Sequence, residues 1–495
     1  MKKIDQILGF SALGLNLIYL LWLYYNIDHA LGWGLFYIDC GFTFLIVLYL
    51  FNHRKQKSTI IPEYPPTGSL DIFLPVVNEP LELFERTVQA ASTIDYENKT
   101  IYILDDGNRS EIKELAQEYN LHYICRKSNC DYKAGNLNYG LANSQGEFIL
   151  IIDADHIVKP NIARELLGYF NNKPKLALVT TRQKFRVSKK SFNNDYLFYT
   201  TMQPGKNHDN AAFSTGSSVF YRRSALNDIG GFLTWNIVED LYTTYVLHQN
   251  GFQTLYVNKS YATGLAPEDL PTIFKQRGIW ALDSLRLFIW KNPLWQNGLT
   301  LKQRLHYLEI GCAYLFPALI FSILWLLLPL SFFLEIDIIT GNPLFPLIKG
   351  LQLLLTLSFF WKQSGKKWSE IQFWIGLFPV YLKALLLALL FRKPKYRVTA
   401  KSNNNNRLHL WAIIPQLTYL GINAFALYWY IIYLEYGLND HGIFAICWFI
   451  LLMFWLWPVL KKGFGIKKTG VRSAESEAEI ITKTFRHREE LIVDT

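Results

Sequence analysis

Two carboxylates stand one residue apart where a long apolar run ends. The run extends from Phe148 to Ile152, and Asp153 and Asp155 follow it directly. A continuous apolar run of this kind is typical of a strand buried on both faces. Carboxylates at the carboxyl end of such a strand lie in the crevice where open α/β sheets bind ligands. Because two acids this close repel each other unless a cation lies between them, the pair indicates a divalent metal ion that holds a diphosphate.

Further polar residues follow other predicted strands and loops. Asp105, Asp106 and Gly107 follow the run from Thr100 to Leu104, which suits a nucleotide's base and ribose, although Asp-Gly is also a common turn. Lys133 could neutralise phosphate and Gly216 would let the backbone approach a ligand, unless both are ordinary turn residues. Asp240, at the start of a helical pattern, is either a partner of the helix dipole or a general base for transfer to a hydroxyl group. Each signal is weak alone, since solvated acids also cap strand ends.

Strand-like and helix-like segments alternate between about Leu70 and Tyr261. The apolar runs are Leu70–Val77, Thr100–Leu104, Phe148–Ile152 and Leu176–Thr180, and the helical patterns include Leu81–Ala91 and Arg109–Tyr119. Alternation of this kind predicts an α/β domain with a mainly parallel sheet and helices on both faces.

Long apolar segments flank this region on both sides. The length of each segment is close to the roughly 20 apolar residues that a helix needs to cross a bilayer. They are about Ile7–Tyr25, Leu31–Phe51, Leu308–Leu330, Pro343–Phe360, Leu410–Tyr433 and Ile443–Leu460. The segment from Trp368 to Phe391 has basic residues beyond both ends, which favours an interfacial or re-entrant segment. The sequence therefore predicts six crossings.

The distribution of charge sets the orientation and the class of partner. The net charge of +10 arises largely from Lys and Arg beside the apolar segments, which is typical of cytoplasmic helix ends and does not favour nucleic acid. The connections at 26–29, 335–341 and 435–441 lack Lys and Arg and are expected outside. The α/β region is therefore predicted to be cytoplasmic.

An aromatic segment separates the α/β region from the second group of apolar segments. Phe274 to Trp280 leads into an amphipathic pattern from Ala281 to Trp290, which predicts a helix lying at the membrane interface. Trp280 is either an interfacial anchor or a flat apolar face for a sugar ring.

Taken together, these motifs resemble the family-2 inverting glycosyltransferases, and most closely the bacterial cellulose synthase catalytic subunits. The resemblance runs from about Leu70 to Lys401. The motifs, in the family's order, are Asp105-Asp106-Gly107, Lys133-Ala134-Gly135-Asn136, Asp153-Ala154-Asp155-His156, the stretch from Gln203 to Ser217, Val238-Glu239-Asp240 and the gating-loop motif Tyr396 to Lys401. The resemblance implies a GT-A type domain inserted between transmembrane helices.

The resemblance also implies a site for a UDP-sugar donor. The residues implied for the nucleotide are Asp105, Asp106, Lys133, Thr399 and Lys401, the last two on a loop that closes over it. Asp153 and Asp155 would bind Mg²⁺ or Mn²⁺, which neutralises the leaving diphosphate. Gln276 and Arg277 would face the diphosphate.

The acceptor side follows from the same resemblance. Asp240 would take the proton from the acceptor hydroxyl, giving a β-linkage from an α-linked donor. The residues implied for the acceptor sugar are Trp280, Phe213, Gly216, Ser217 and Glu239. Trp280 would support the terminal sugar at the mouth of a membrane channel.

The sequence departs from the family pattern in three respects. The family's Gln-x-x-Arg-Trp is Gln276 to Trp280 here, with Ile279 where the diphosphate-facing Arg is usual. Arg277 could replace that Arg only if the backbone turned differently. Val238 replaces the usual Thr, which is tolerable because the carboxylates are retained. The carboxyl-terminal cyclic-di-GMP-binding domain of many relatives is expected to be missing.

The chain is accordingly expected to have eight divisions. They are an N-terminal transmembrane hairpin (1–57), a linker (58–68), a cytoplasmic GT-A glycosyltransferase domain (69–265), interfacial helices with Gln276 and Trp280 (266–305), transmembrane helices (306–362), an interfacial segment with the gating loop (363–408), transmembrane helices (409–460) and a cytoplasmic tail (461–495).

The expected function is a processive synthase in the inner or plasma membrane that makes a β-glucan from UDP-glucose. Its expected partners are the UDP-sugar, the growing polysaccharide, membrane lipids and an export subunit beyond the membrane. Other UDP-sugars, a β-1,3-glucan, chitin or hyaluronan-like product, a non-processive transfer to a lipid, and a non-catalytic scaffold are the alternatives. Ile279 weighs against processivity, whereas Trp280 and the flanking helices favour it.

Overall fold

The computed structural model of the protein describes residues 3–53, 62, 65–186, 195–336, 338, 345–392, 409–433 and 440–465. Thr399 and Lys401 of the predicted gating loop lie outside these residues, as do most of the predicted linker and tail.

Helices occupy both ends of the described part of the chain and alternate with strands between them. The α-helices are α1 (Lys3–Tyr25), α2 (Ala30–His53), α3 (Leu81–Ser92), α4 (Ser110–Glu118), α5 (Tyr132–Ala142), α6 (Ile162–Leu166), α7 (Gln203–His208), α8 (Arg223–Asp228), α9 (Glu239–Gln249), α10 (Leu270–Trp290), α11 (Leu301–Leu334), α12 (Phe345–Gln363), α13 (Trp368–Gly376), α14 (Phe378–Leu389), α15 (Ile414–Tyr428) and α16 (Asp440–Gly463). Short 3₁₀ segments are Leu167–Phe170 and Leu410–Ile413, and π-helical segments are Phe198–Met202 and Trp429–Tyr433.

The strands form two sheets in the described part of the chain. They are β1 (Leu70–Val76), β2 (Lys99–Asp105), β3 (His122–Cys125), β4 (Phe148–Ile151), β5 (Ile157–Val158), β6 (Leu176–Thr181), β7 (Lys184–Arg186), β8 (Val219–Arg222), β9 (Gln253–Val257) and β10 (Ala262–Leu265). The larger sheet has the order β3-β2-β1-β4-β8-β6-β9, and the smaller one has the order β5-β10-β7.

The larger sheet is mainly parallel, which confirms the predicted α/β class. β1 pairs in parallel with β2 and β4, with Leu70 opposite Phe148. β8 is antiparallel to both β4 and β6, whereas β6 and β9 are parallel. The carboxyl ends of β2, β1 and β4 therefore meet at one edge of the sheet, where parallel α/β sheets bind ligands.

Helices cover both faces of this sheet. On one face Ile72 of β1 packs in a cluster with Phe84 and Val88 of α3, and on the other Phe73 packs with Leu137 of α5. Every residue of β1 is buried. Two-sided burial explains why these strands are continuous apolar runs rather than alternating ones.

Five helices are long and apolar enough to cross a membrane among the residues that the structure describes. They are Asp5–Tyr25, Ala30–Asn52, Leu301–Leu334, Leu410–Ile432 and Ala445–Gly463. α13 and α14 reach that standard only as a pair, and they are bent by 43°. The bend is consistent with the predicted re-entrant segment or with one broken span. The chain is thus built as a membrane protein.

The predicted crossing from Pro343 to Phe360 corresponds to α12, which is not among the five. α12 carries polar side chains whose partners lie on α1 and α2. Lys349 pairs with Asp39 at 2.6 Å, and Gln352 donates to Asn16 at 2.7 Å. Polar residues at membrane depth are tolerated when they face one another inside a helix bundle.

α10 is covered by other helices along part of the amphipathic segment that the sequence predicts to be interfacial. Seven consecutive residues from Ala281 to Leu287 are buried, so no side of this stretch is left open. α10 packs against α11 and α14, which enclose it. Periodicity cannot reveal that a second element covers a polar face, and the position of α10 at the membrane interface stays a prediction.

Candidate functional site

The two carboxylates after β4 lie at the sheet edge but have different surroundings. Asp153 forms an ion pair with the Lys133 ammonium group, with Lys133 Nζ 2.6 Å from Asp153 Oδ1. Its backbone N–H donates to the hydroxyl of Ser217 at 3.0 Å, which fixes the strand end. Asp155 is buried, and its Oδ2 accepts the Leu265 N–H of β10 at 3.1 Å. The smaller sheet therefore anchors Asp155, while Asp153 is one-third exposed.

Lys133, near the start of α5, joins three separate parts of the chain. Its ammonium group lies 2.6 Å from Asp153, 3.4 Å from Glu239 Oε1 and 2.8 Å from the carbonyl oxygen of Gly216. Burial lowers the pKa of Lys133, but the Asp153 and Glu239 carboxylates outweigh burial and raise that pKa above its ordinary value. The lysine is thus a fixed positive charge at the centre of the site.

Asp240 follows Glu239 at the start of α9. Burial and, next to it, the neighbouring Glu239 carboxylate together raise the pKa of Asp240 to about 8, although Lys133 partly opposes both. Burial also raises the pKa of Glu239, again opposed by Lys133. A carboxyl group with a pKa near neutrality is suited to accept a proton from a reacting hydroxyl.

Gly216 lies against Lys133 and Asp240 in a conformation that favours glycine. Its φ is +82°, and a Cβ added there would lie 3.0 Å from Asp240 Oδ2 and 3.4 Å from Lys133 Nζ. The glycine therefore allows the loop to approach both charged groups closely.

The acids after β2 have separate placements, although the sequence assigns both to nucleotide binding. Asp105 is fully buried, and its carboxylate accepts the N–H groups of Gly107 and Arg109 at 2.7 and 2.8 Å. Tyr123 also donates to Asp105 at 2.9 Å. Asp105 does not line the cavity described below, so it orders the loop instead of facing a ligand in this structure.

Asp106 does line that cavity, and its partner is Arg126, which the sequence analysis missed. The guanidinium group is bidentate, with Nε and Nη2 2.6 and 2.7 Å from the two carboxylate oxygens. Arg126 follows β3, which pairs with β2. A polar residue just after the neighbouring parallel strand was the signal that could have identified it.

The motif from Gln276 to Trp280 lies on α10 without a break. Since α10 is a continuous helix, residues 277 and 279 point about 200° apart, and the backbone change that would let Arg277 replace an arginine at Ile279 is absent from this described helix. The Arg277 guanidinium instead pairs with Asp195, with Nη1 2.7 Å from Oδ1 and Nη2 2.8 Å from Oδ2. The structure thus gives no support to diphosphate binding by Arg277.

The predicted acceptor residues Phe213 and Ser217 lie on the loop that contains Gly216. Phe213 is held by Gln203, whose side chain donates to the Phe213 carbonyl at 2.8 Å and accepts its N–H at 3.3 Å. Ser217 is fully buried, and its hydroxyl oxygen accepts the backbone N–H of Asp153. The Ser217 hydroxyl therefore fixes the backbone at the end of β4, while Phe213 lines the cavity described below.

One cavity of about 1250 Å³ connects these residues with the membrane-length helices. Its wall includes the predicted site residues Asp106, Lys133, Asp153, Asp155, Phe213, Gly216, Glu239, Asp240, Gln276, Arg277 and Trp280. The same cavity is lined by Trp325 of α11 and by Trp448 and Trp455 of α16. A ligand bound at Asp153 and a chain passing between the helices would therefore share one space.

Asp153 and Asp155 are the residues suited to a metal ion. Among the described residues, no group of three or more His, Cys, Asp or Glu side chains is arranged for one. Mg²⁺ bound with a phosphate group usually takes only one or two protein carboxylates. Asp153 already attracts a cation, the Lys133 ammonium group. The oxygen donors therefore fit a divalent cation that arrives with a diphosphate.

Two family models match the chain in succession. Residues 71–230 match glycosyl transferase family 2, and residues 210–406 match cellulose synthase. Together these regions span the sheet, the cavity residues and much of the second helical region.

Curated proteins of similar sequence include cellulose synthases. Cellulose synthase 1 catalytic subunit (UDP-forming) of Komagataeibacter xylinus is 31% identical over 387 residues, 74% of this chain and 51% of that protein. Cellulose synthase 2 of Novacetimonas hansenii is 34% identical over 384 residues, 72% of this chain and 24% of that protein. The chain thus spans about half, or about a quarter, of the length of the relatives it matches.

A solved structure shows the fold. The mannosyltransferase of Pyrobaculum calidifontis, in complex with GDP-Man and Mn²⁺, matches with a TM-score of 0.53 and 14% identity. The match covers 79% of this chain and all of that one. The α/β region therefore has the GT-A glycosyltransferase fold.

Proposed function

This chain carries the GT-A domain of the family-2 glycosyltransferases joined to a cellulose synthase region, and on that premise we propose that it is a processive, inverting glycosyltransferase. It polymerises a β-glucan of the cellulose type from UDP-glucose and moves the product across the inner or plasma membrane. The observation that carries this proposal is the single cavity that joins Asp153 and Asp240 to Trp280 and the aromatic residues of α11 and α16.

The donor side of the site is proposed to hold UDP-glucose with Mg²⁺ or Mn²⁺. Asp106 faces the cavity and, held by Arg126, contacts the nucleotide, while Lys133 neutralises phosphate charge. Asp153 and Asp155 hold the divalent cation, which supplies charge stabilisation to the leaving diphosphate when it is bound. The Mn²⁺ in the Pyrobaculum mannosyltransferase supports a divalent cation here.

Asp240 is proposed to be the general base. Its carboxylate accepts the proton of the acceptor hydroxyl as that oxygen attacks the anomeric carbon from the side opposite the diphosphate. The attack inverts an α-linked donor into a β-linked product. Lys133 and Glu239 set the charge around Asp240, and Gly216 gives the acceptor loop its close approach.

The acceptor is proposed to leave through the membrane helices. Trp280 offers an apolar face to the terminal sugar, and Trp325, Trp448 and Trp455 offer further stacking surfaces along the wall. We count six crossings, the five candidate helices and α12, with the GT-A domain cytoplasmic. Lipids surround these helices, and an export subunit receives the polymer beyond them.

Incubation of the purified full chain in detergent with individual UDP-sugars and Mg²⁺ or Mn²⁺ tests this function. We expect UDP-glucose to be consumed and the product to be cut by a β-1,4-specific glucanase. Products from UDP-N-acetylglucosamine, or products cut only by a β-1,3-glucanase, would assign another polymer. A single sugar on a lipid would indicate a non-processive transferase. Equal UDP release by the wild type and Asp240→Asn would refute the proposed catalysis.

A further inference from the structure

Trp280 is held by residues that lie outside the proposed catalytic groups. Arg277 precedes it by three positions on α10, so the two side chains share one face of the helix. The Arg277 guanidinium carbon lies 4.8 Å from the centre of the Trp280 ring. A guanidinium group over an aromatic face is attracted to the ring and restricts the angle at which that ring can lie.

Asp195 in turn fixes the plane of the guanidinium group. Both of its carboxylate oxygens are used, at 2.7 and 2.8 Å, and the side chains of Arg277 and Asp195 are only 12% and 22% exposed. A bidentate pair of this kind sets orientation as well as distance, which a lysine could not do. The plane over Trp280 therefore depends on Asp195.

The backbone of Asp195 continues this connection to the loop at Gly216. Its carbonyl oxygen accepts the Tyr199 N–H at 3.1 Å, and the Tyr199 hydroxyl donates to Gln183 Oε1 at 3.0 Å. Gln183 donates to the carbonyl oxygen of Thr215 at 2.9 Å. Thr215 is the neighbour of Gly216, which contacts Lys133 and lies beside Asp240. The contacts thus run without interruption from Trp280 to the proposed base.

From these contacts we infer that Asp195 and Arg277 are positioning residues for the acceptor sugar. They hold the Trp280 ring at a fixed angle and place it relative to the loop that carries Gly216. The ligand whose affinity they control is a β-linked glucose oligosaccharide on Trp280, not the nucleotide. This inference rests on the proposed function for the identity of the sugar. The contacts among Asp195, Arg277 and Trp280 do not involve Ile279.

The test uses Asp195→Asn, which keeps the shape of the side chain but removes its charge, and Arg277→Lys, which keeps the charge but removes the fork. The matched control is Asp95→Asn, which removes a carboxylate from an exposed pair with Arg164 at 3.1 Å. Binding of cellotetraose to each full-length protein in detergent is measured calorimetrically. Initial rates of UDP release give the KM for UDP-glucose and for added cellotetraose.

We expect both variants to weaken cellotetraose binding and raise its KM by roughly tenfold, with shorter products, because the cation over the Trp280 ring loses its fixed orientation. The KM for UDP-glucose should change by less than about twofold. The double variant should be no worse than either single one, since the two residues act through one pair. Asp95→Asn should match the wild type.

The inference is overturned if folded Asp195→Asn binds cellotetraose as tightly as the wild type, if the two KM values rise together, or if the wild type binds no cellotetraose. A wild type that binds cellotetraose but releases no UDP would refute the proposed function alone. In that case, a loss of binding in Asp195→Asn would still support the positioning role, because calorimetry requires no turnover.

Discussion

Substitution of Gly216 by alanine should reduce catalysis far more than it reduces stability. The added methyl group would lie 3.0 Å from Asp240 Oδ2, closer than ordinary van der Waals contact, so the carboxylate must move by a few tenths of an ångström. A left-handed φ of +82° also costs alanine about 1–2 kcal/mol. Since a misplacement of about 1 Å can lower a rate about 100-fold, we expect kcat to fall at least roughly tenfold.

Gly230 provides a matched control for the strain. Its φ is +84°, nearly that of Gly216, yet a Cβ there would have no described heavy atom within 4 Å. Gly230→Ala should therefore lose a similar amount of stability and keep its kcat. Thermal unfolding in detergent measures the first quantity, and initial rates of UDP release at saturating UDP-glucose measure the second.

The comparison of the two variants can refute the reasoning. Equal kcat values for Gly216→Ala and Gly230→Ala would show that the position of Asp240 beside this loop is unimportant for the reaction. A Gly216→Ala protein that is far less stable than Gly230→Ala would show that the contact is mainly structural. Either result would remove Gly216 from the site.

Three further outcomes follow from the same geometry. Asp240→Asn should lower kcat by about 10²–10⁴. The wild-type kcat/KM should rise with pH up to about 8, because the raised pKa keeps the Asp240 carboxyl group protonated, and so unable to accept a proton, at lower pH. A flat kcat/KM profile from about pH 6 to 9 would contradict this role of Asp240. Lys206→Met should lower the unfolding free energy by about 3–5 kcal/mol, because it leaves the buried Glu309 carboxylate, whose Oε2 lies 2.6 Å from Lys206 Nζ, without its ion-pair partner. Thermal unfolding should show the double variant Lys206→Met/Glu309→Leu to be more stable than Lys206→Met. Chelation should abolish UDP release, and Asp153→Asn should raise the half-maximal Mn²⁺ concentration roughly tenfold; unchanged metal titration would exclude Asp153 as a ligand.

The positions of the main strands followed from local pattern. Runs such as Leu70–Val77 and Phe148–Ile152 are apolar because both faces of the sheet are covered, and they correspond closely to β1 and β4. The mainly parallel sheet is confirmed, as is the GT-A fold that the resemblance implied. The roles of the individual site residues and the exact domain limits stay predictions.

The partners of the charged side chains could not be read from the sequence. Asp105 and Asp106 are adjacent, yet one is enclosed by its own loop and the other pairs with Arg126 across the sheet. The resemblance implied that Arg277 faces the diphosphate, whereas in the structure α10 is continuous and the Arg277 guanidinium group pairs with Asp195, 82 residues away. Such choices depend on elements distant in the chain, which local spacing does not encode.

The sequence by itself determined the type and order of the elements, because hydrophobic periodicity and strand-end acids are properties of short segments. Only the tertiary structure decided the electrostatics of the site. Lys133 becomes a fixed charge, and the pKa of Asp240 reaches about 8, because folding brings charged residues of α5 and α9 and the end of β4 together and buries Asp240 beside Glu239. Burial and charge pairing depend on three-dimensional distance, and that distance exists only once the chain has folded.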